Sequence, residues 1–443
     1  MPSRYSGGPQ YDRLYERLAL FEQETGTRVE IVFKGSHPEL NDYLSRTFEP
    51  YYGSSSIEPV PQCSPPDLDL ISTHIKYAPS QSHFLQELDT TMVPDSQREE
   101  FLESALEACK VQGGLMQLPR MVDSRVLFYR ADILQQLGLQ PPQTWRDLLY
   151  TASMIHKAAV PILPSAMTTT TTRDAASAPL SANKGTVQGY VFPGKLSGLF
   201  GTFYELAMME MQHPEALFDH QDRPVFEEPV LVAVLEYMRE LVVSGAVPQE
   251  LEDCYFDQVS DMFAEGRVAI VADWPSYYGE MKRRLKEKIL SSASPVVKVM
   301  RYPVGQNGKR SAYSGMHTFA IPKSCRYPQE ALKLLKFLVR DDQQWIEASE
   351  SGSFPTKKAV LNRLSEETEK RREGEADALA VLDSERLRCL RQTVEEDMAM
   401  FPHLRSYPEL EDALYPMIQD AMMGRRTPKE AAQLMRATAL QSV

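Results

Sequence analysis

Among its 443 residues the chain has three tryptophans, five cysteines and eight histidines, and long apolar runs are missing. No window approaches 18 consecutive apolar residues, and the stretch 241–247 is already interrupted by Ser244 and Gly245, so no segment reads as crossing a bilayer. The cysteines (Cys63, Cys109, Cys254, Cys325, Cys389) are odd in number and form no C-x-x-C pair, which specifies neither a disulfide framework nor a zinc site. The histidines (His37, His74, His83, His156, His213, His220, His317, His403) show no i, i+4 pair and no cysteine partner at ligand spacing, so no metal or other cofactor is implied. Catalytic signatures are missing too: there is no G-x-S-x-G elbow, no H-E-x-x-H, no P-loop and no G-x-G-x-x-G between a strand and a helix. Positive charge is in deficit, 48 Lys and Arg against 61 Asp and Glu for a formal charge of -13, and no basic stripe is present to grip a phosphate backbone. Nucleic acid is not an expected partner. The first ten residues are polar and carry no apolar signal region.

What is present is an ordinary globular composition, 42% apolar and 25% charged, in a chain several times longer than one core needs, so two or more lobes are expected. Tyr11, Leu14, Leu18 and Phe21 recur at helical spacing and Gly26 stands at the stop position, which predicts a helix over 11–25. A β-branched strand is expected at 29–33, a helix at 39–48, and a buried strand at 68–71 ending at Ser72, Thr73 and His74. A turn at 118–123 leads to a strand at 125–129 and a helix at 131–137; further helices read at 199–211, 229–243 and 328–339, and strands at 268–272 and 319–321. Strands alternating with helices argue an α/β fold with mainly parallel sheets whose faces are covered. The Thr-rich stretch at about 166–187 cannot bury enough apolar surface to order itself and reads as a surface insertion. The charge-dense 365–397 reads as a solvated helical face, and its acids Glu395, Glu396 and Asp397 as solvated rather than catalytic.

Two segments carry candidate chemistry. In GRVAIVADWPSYY (266–278) a buried strand ends at Asp273, Trp274 and Pro275, and ligands of open α/β sheets sit at such carboxyl ends. Trp274 is therefore either a stacking face for a sugar, whose axial C–H groups are apolar, or core packing; Tyr277 and Tyr278 divide the same way. In LPRMVDSRVLFY (118–129), Asp123 could accept from vicinal hydroxyls and Arg125 could donate to others, or the two form a local ion pair at a hinge.

The ordered set FEQETGTRVEIVF, PDLDLI, GLMQLPRMVDSRVLFYRADIL, PPQTWRDLL, FAEGRVAIVADWPSYY, SGMHTFAIPKSC, EALKLLKFLV, SGSFPTKKAVL and YPELEDAL resembles the family 1 extracellular solute-binding proteins of ABC importers. GYVFPGKLSGLFGTFYELAMM is similar to the Gly-rich aromatic segment of the maltose and trehalose binders. The resemblance runs from about Tyr11 to Ala437. It implies a two-lobed periplasmic-binding-protein fold of the second type, closing on a sugar by hinge bending, with ABC permease subunits as transient partners and a monomeric state. It also implies residues 1–122 as the first part of lobe 1, 123–312 as the first part of lobe 2, 313–352 as the second hinge and return, and 353–443 as the return to lobe 2. By the same resemblance Trp274 matches the stacking tryptophan and Asp123 the acid of the first hinge. Thr73 and His74 match the ligand-facing loop after the second strand, Pro355 and Thr356 the third crossing, and Arg405 a basic residue before the YPEL segment.

The chain departs from that pattern in having Gly315, Met316 and His317 where the family has Gly-Gly-Trp, so an imidazole replaces a stacking face. It also lacks the hydrophobic strand that opens family members, from which a trimmed or misassigned start is expected; the location implied is periplasmic or extracellular, otherwise cytoplasmic. The expected function is capture of a di- or oligosaccharide without catalysis. Three rivals are a glycan hydrolase pairing Asp123 with Glu205 or Asp273, a binder of another solute on the same fold, and a vestigial scaffold without a small ligand.

Overall fold

The computed structural model describes residues 9–35, 37–52, 67–162, 185–210, 217–219, 221, 223–290, 296–305, 308–374 and 377–441. Its strands are β1 (Ile71–His74), β2 (Lys110–Val111), β3 (Gly114–Leu115), β4 (Leu118–Ser124), β5 (Val126–Arg130), β6 (Gln188–Val191), β7 (Val268–Asp273), β8 (Val297–Met300), β9 (Ala312–Ala320), β10 (Phe354–Pro355) and β11 (Met398–Ala399). They build two main sheets, one per lobe. The first has the order β1-β9-β4-β10 with β11 beside β9, and the second the order β6-β7-β5-β8. The chain leaves the first sheet at Ser124 and enters the second at Val126, so Arg125 alone is the first crossing.

The expected α/β two-lobed architecture is present, but pairing departs from the parallel expectation. Only β6–β7 and β11–β9 run parallel; β9 returns from the second lobe and inserts antiparallel between β1 and β4. The stretch 118–123, expected as a turn, is strand throughout and buried at every position. Pro119 misleads there, because its missing N–H is accommodated at a register shift between Pro119 and Met121. The short strand expected at 319–321 is the end of nine-residue β9, and the one expected at 68–71 pairs only from Ile71 onward. At 29–33 no strand forms: Val29 N–H goes to Glu22 Oε1 at 2.6 Å, while Ile31 and Val32 are exposed. A β-branched run without a neighbouring ladder does not pair by propensity alone.

Helices cover both sheets. Pro9–Thr25 packs on Pro328–Leu338 and Asp341–Ser351 in the first lobe. In the second, Leu196–Glu210, Glu228–Val243, Tyr407–Met423 and Pro428–Gln441 form one helical layer. Helix Trp145–Ala158 opens on a capping box between Thr144 and Asp147, as its sequence dictates. Most of the Thr-rich insertion lies outside the described residues, but its base is pinned by the bridge between Pro161 and Thr186. Of the charged 365–397, helix Ala378–Gln392 buries Leu379, Leu382, Leu387 and Leu390 and covers β8, so it is not merely a solvated face.

Candidate functional site

At the crossing, buried Arg125 donates from Nε and Nη2 to Glu205 at 3.1 and 2.7 Å and from Nη1 to Thr202 at 3.2 Å. Burial pushes the Glu205 carboxyl up to about 7, against Arg125 and the Tyr313 backbone N–H at 2.8 Å, which favour its ionised form. The guanidinium is thus committed to protein groups and has no fork left for hydroxyls. Its carbon stands 5.1 Å from the Trp274 ring centroid, so Arg125 supports the indole from behind.

Trp274 follows β7, partly buried between Phe256 and Tyr313 at 5.7 and 6.5 Å. Asp273 Oδ1 accepts from Ser260 Oγ at 2.7 Å and from Trp274 N–H at 2.8 Å, which fixes the strand end and hence the ring. Burial pushes the Asp273 carboxyl up to about 7. Tyr277 lies close to Asp257, Asp273 and Asp123; burial first, then these acids, raises its hydroxyl pKa.

The facing wall belongs to the first lobe. Gly315 is opposite Asp123 in the β4–β9 register, and a Cβ there would sit 2.6 Å from the His74 imidazole and 3.0 Å from Phe401. Glycine is what lets His74 lie against the strand. The rings of His37, His74 and His317 approach one another at 4.9 to 5.5 Å. His317 Nε2 is 2.8 Å from Asp123 Oδ2, and His74 Nδ1 accepts from Lys76 N–H at 3.3 Å. Burial, then neighbouring imidazoles and Lys76, holds His37 and His74 well below the usual histidine range, so both are neutral. Among the described residues no group of three or more His, Cys, Asp or Glu side chains is arranged to hold a metal ion.

The sequence-derived candidates therefore divide. Asp123, Gly315, His317, His74, Trp274 and Tyr277 come together around the crossing. Thr73 points away from His74 on β1 and bonds Gln81 at 3.3 Å, while Thr356 is buried between Gln344 and Pro119. Arg405 is exposed and pairs with Glu49 at 2.8 Å, outside the cluster. Glu205 and Asp273, the acids a hydrolase would need opposite Asp123, are held by Arg125 and Ser260. His37, Lys76 and Glu411 were not singled out from sequence; the turn after β1 and the helix at 407–423 were the available signals, but nothing in their spacing shows that they meet. Two grooves on the second lobe, by Trp145 and Tyr237 and by Pro229 and Lys429, contain none of these candidates.

Besides Asp273 Oδ2, two polar atoms at this site are buried without a hydrogen-bond partner among the described residues: Asp123 Oδ1 and Trp274 Nε1. One accepts and the other donates, a complementary demand on anything bound there.

A family profile for bacterial extracellular solute-binding proteins matches residues 59–373, and the chain belongs to that family. A Deinococcus radiodurans protein described as a probable ABC transporter-binding protein is 21% identical over 356 residues, covering 79% of this chain and 74% of that protein. Among solved structures, maltose-bound T. maritima MalE3 superposes with a TM-score of 0.74 at 22% identity, covering 99% of this chain and 98% of that one. The Thermus thermophilus maltotriose binding protein, bound with maltotriose, gives 0.65 at 17% identity with the same coverage.

Proposed function

We propose that this member of the bacterial extracellular solute-binding family captures a short, neutral saccharide between its lobes and delivers it to an ABC permease outside the cytoplasmic membrane. The observation that carries the reading is the pair of unsatisfied atoms, Asp123 Oδ1 on β4 of the first sheet and Trp274 Nε1 at the end of β7 in the second. A sugar hydroxyl donates and accepts at once, so the hydroxyls of one saccharide can meet both demands, and the indole face suits the apolar C–H side of its ring. Maltose, maltotriose and mannotriose are named with structures of the same fold, which favours a saccharide over other small solutes. Binding without catalysis is supported by Glu205 being committed to Arg125 and by Asp273 Oδ1 being held by Ser260 and the Trp274 N–H.

Titration calorimetry and thermal shift against maltose, trehalose, maltotriose and mannotriose test this. At least one should bind and raise the melting temperature by mass action. Trp274→Ala should weaken that ligand at least about tenfold, roughly 1.4 kcal/mol. Silence from every saccharide, or equal affinity in the variant, would remove the reading.

A further inference from the structure

We propose that Lys76 and Glu411 are a closure latch, an ion pair made between the two lobes as they shut, which positions them for capture without touching the ligand. The inference rests on the capture reading and assigns it a device on residues outside the ligand-reading cluster. Lys76 lies in the turn Ile75–Tyr77 after β1 of the first lobe, and Glu411 on helix Tyr407–Met423 of the second. Nζ and Oε2 are 2.6 Å apart, with the two side chains 10% and 1% exposed. Lys76 is held within the first lobe, whereas Glu411 is held both by Tyr407 of its own helix, through Tyr313, and by Tyr313 itself, at the start of β9 in the first-lobe sheet. Lys76 N–H donates to His74 Nδ1, and Glu411 Oε1 accepts from Tyr313 O–H at 3.1 Å, itself 3.1 Å from Tyr407 O–H.

The pair borders the site closely. Tyr313 touches the Trp274 ring, and His74 touches His317, which holds Asp123. Burial alone would lower the Lys76 pKa, but Glu411 and the nearby Tyr77 reverse that and the net direction is upward, so Lys76 stays a cation. In an open form each charge could face water, and closing takes both out of it. Together they satisfy one another. With one partner neutralised, closing buries a lone charge, a far larger penalty than the pair's own net contribution. A second pair between the same lobes, Arg405–Glu49, is about half exposed on both sides and contributes little to closure. It is a built-in control.

The test compares wild type, Lys76→Met, Glu411→Gln, the double variant Lys76→Met/Glu411→Met, and Arg405→Gln by small-angle X-ray scattering and calorimetry with maltose. Each single latch variant should bind at least about tenfold more weakly and remain more extended than wild type at equal maltose. The double variant should recover to within about threefold of wild type, and Arg405→Gln should match it. Single variants that bind and compact like wild type would overturn the latch. So would a double variant as weak as the product of the singles, because both side chains would then be reading ligand rather than each other. If no saccharide binds, the capture reading falls separately, and the unliganded scattering decides: single variants more extended than wild type keep the latch, and identical profiles sink it.

Discussion

On the second-lobe side of the crossing, Arg125 meets one carboxylate, Glu205, through two N–H groups, and Thr202 and the Tyr313 backbone complete the set. In the first lobe two guanidinium groups, Arg17 and Arg120, share the single carboxylate of Glu347, and all three side chains are at most 3% exposed. Arg17 meets Glu347 through Nη2, while its Nε and Nη1 have no hydrogen-bond partner among the described residues and Glu347 Oε2 likewise has none. Burial, with Arg120 adding to it, lowers the Arg17 pKa to about 10. One cluster is balanced in charge and the other carries a surplus. A buried arginine is therefore not one kind of element: Arg125 supports Trp274 because its own needs are met, while Arg17 has only a share of the one carboxylate it splits with Arg120.

The largest expected effect comes from unbalancing the first of these. Glu205→Gln leaves Arg125 as a buried charge with no counter-charge, and it should cost about 3 to 5 kcal/mol of stability in urea unfolding. Replacing both, Glu205→Leu with Arg125→Met, should cost clearly less than the single change, because no charge is then stranded. A single variant as stable as wild type would show that the pair adds nothing and that Trp274 is held by other contacts.

A smaller effect separates the two walls by pH. His37 and His74 are held neutral by burial and face His317, with Lys76 and, for His37, Arg120 nearby, so below about pH 6.5 the folded state binds fewer protons than the unfolded state. Their contribution is complete above the unfolded histidine pKa and is lost as pH falls through that value, at most about 1.4 kcal/mol per pH unit for each ring. Asp273 acts in the opposite sense. Its folded pKa of about 7 lies above the ordinary aspartate value of about 3.9, so its contribution is present in acid and lost as pH rises across that window. A His37→Asn/His74→Asn variant should flatten the acid side of the stability curve, and Asp273→Asn the slope between about pH 4 and 7. Unchanged curves in both would remove the contrast.

Sequence alone carried the elements whose cause is local. The helix expected at 131–137 forms as Ala131–Gln136, and the apolar run expected as a strand at 268–272 forms as Val268–Asp273. The stretch 118–123 reads as a turn in isolation, whereas the strand it forms, with a register shift at Pro119, exists only against β9. Thr356 and Arg405 resembled ligand contacts by position, yet Gln344 and Glu49, which engage them, lie 12 and 356 residues away. The three-histidine wall was invisible for the same reason, since His37, His74 and His317 share no spacing and meet only through β1–β9 pairing and the helix at 37–52. What was legible was pattern along the chain; what was not was partnership across it.

The smallest effect is the one that most sharpens the comparison. Arg17→Met keeps an unbranched stem of similar reach in the space between helix Pro9–Thr25 and helix Asp341–Ser351, but it deletes the surplus charge. Glu347 then serves Arg120 alone, through Nε at 2.8 Å and the contact from Nη2. Two buried donor atoms without partners, Nε and Nη1, disappear, as does the repulsion between the two guanidinium groups. The change should therefore be neutral or stabilising, within about 1 kcal/mol, although it removes an apparent ion pair. The same replacement at Arg125 strands Glu205 instead and should destabilise by several times as much, about 3 kcal/mol or more. Equal losses at the two positions in matched urea titrations would mean that the charge count around Glu347 does not govern its energetics, and that Arg17 is retained for the pair it makes rather than in spite of it.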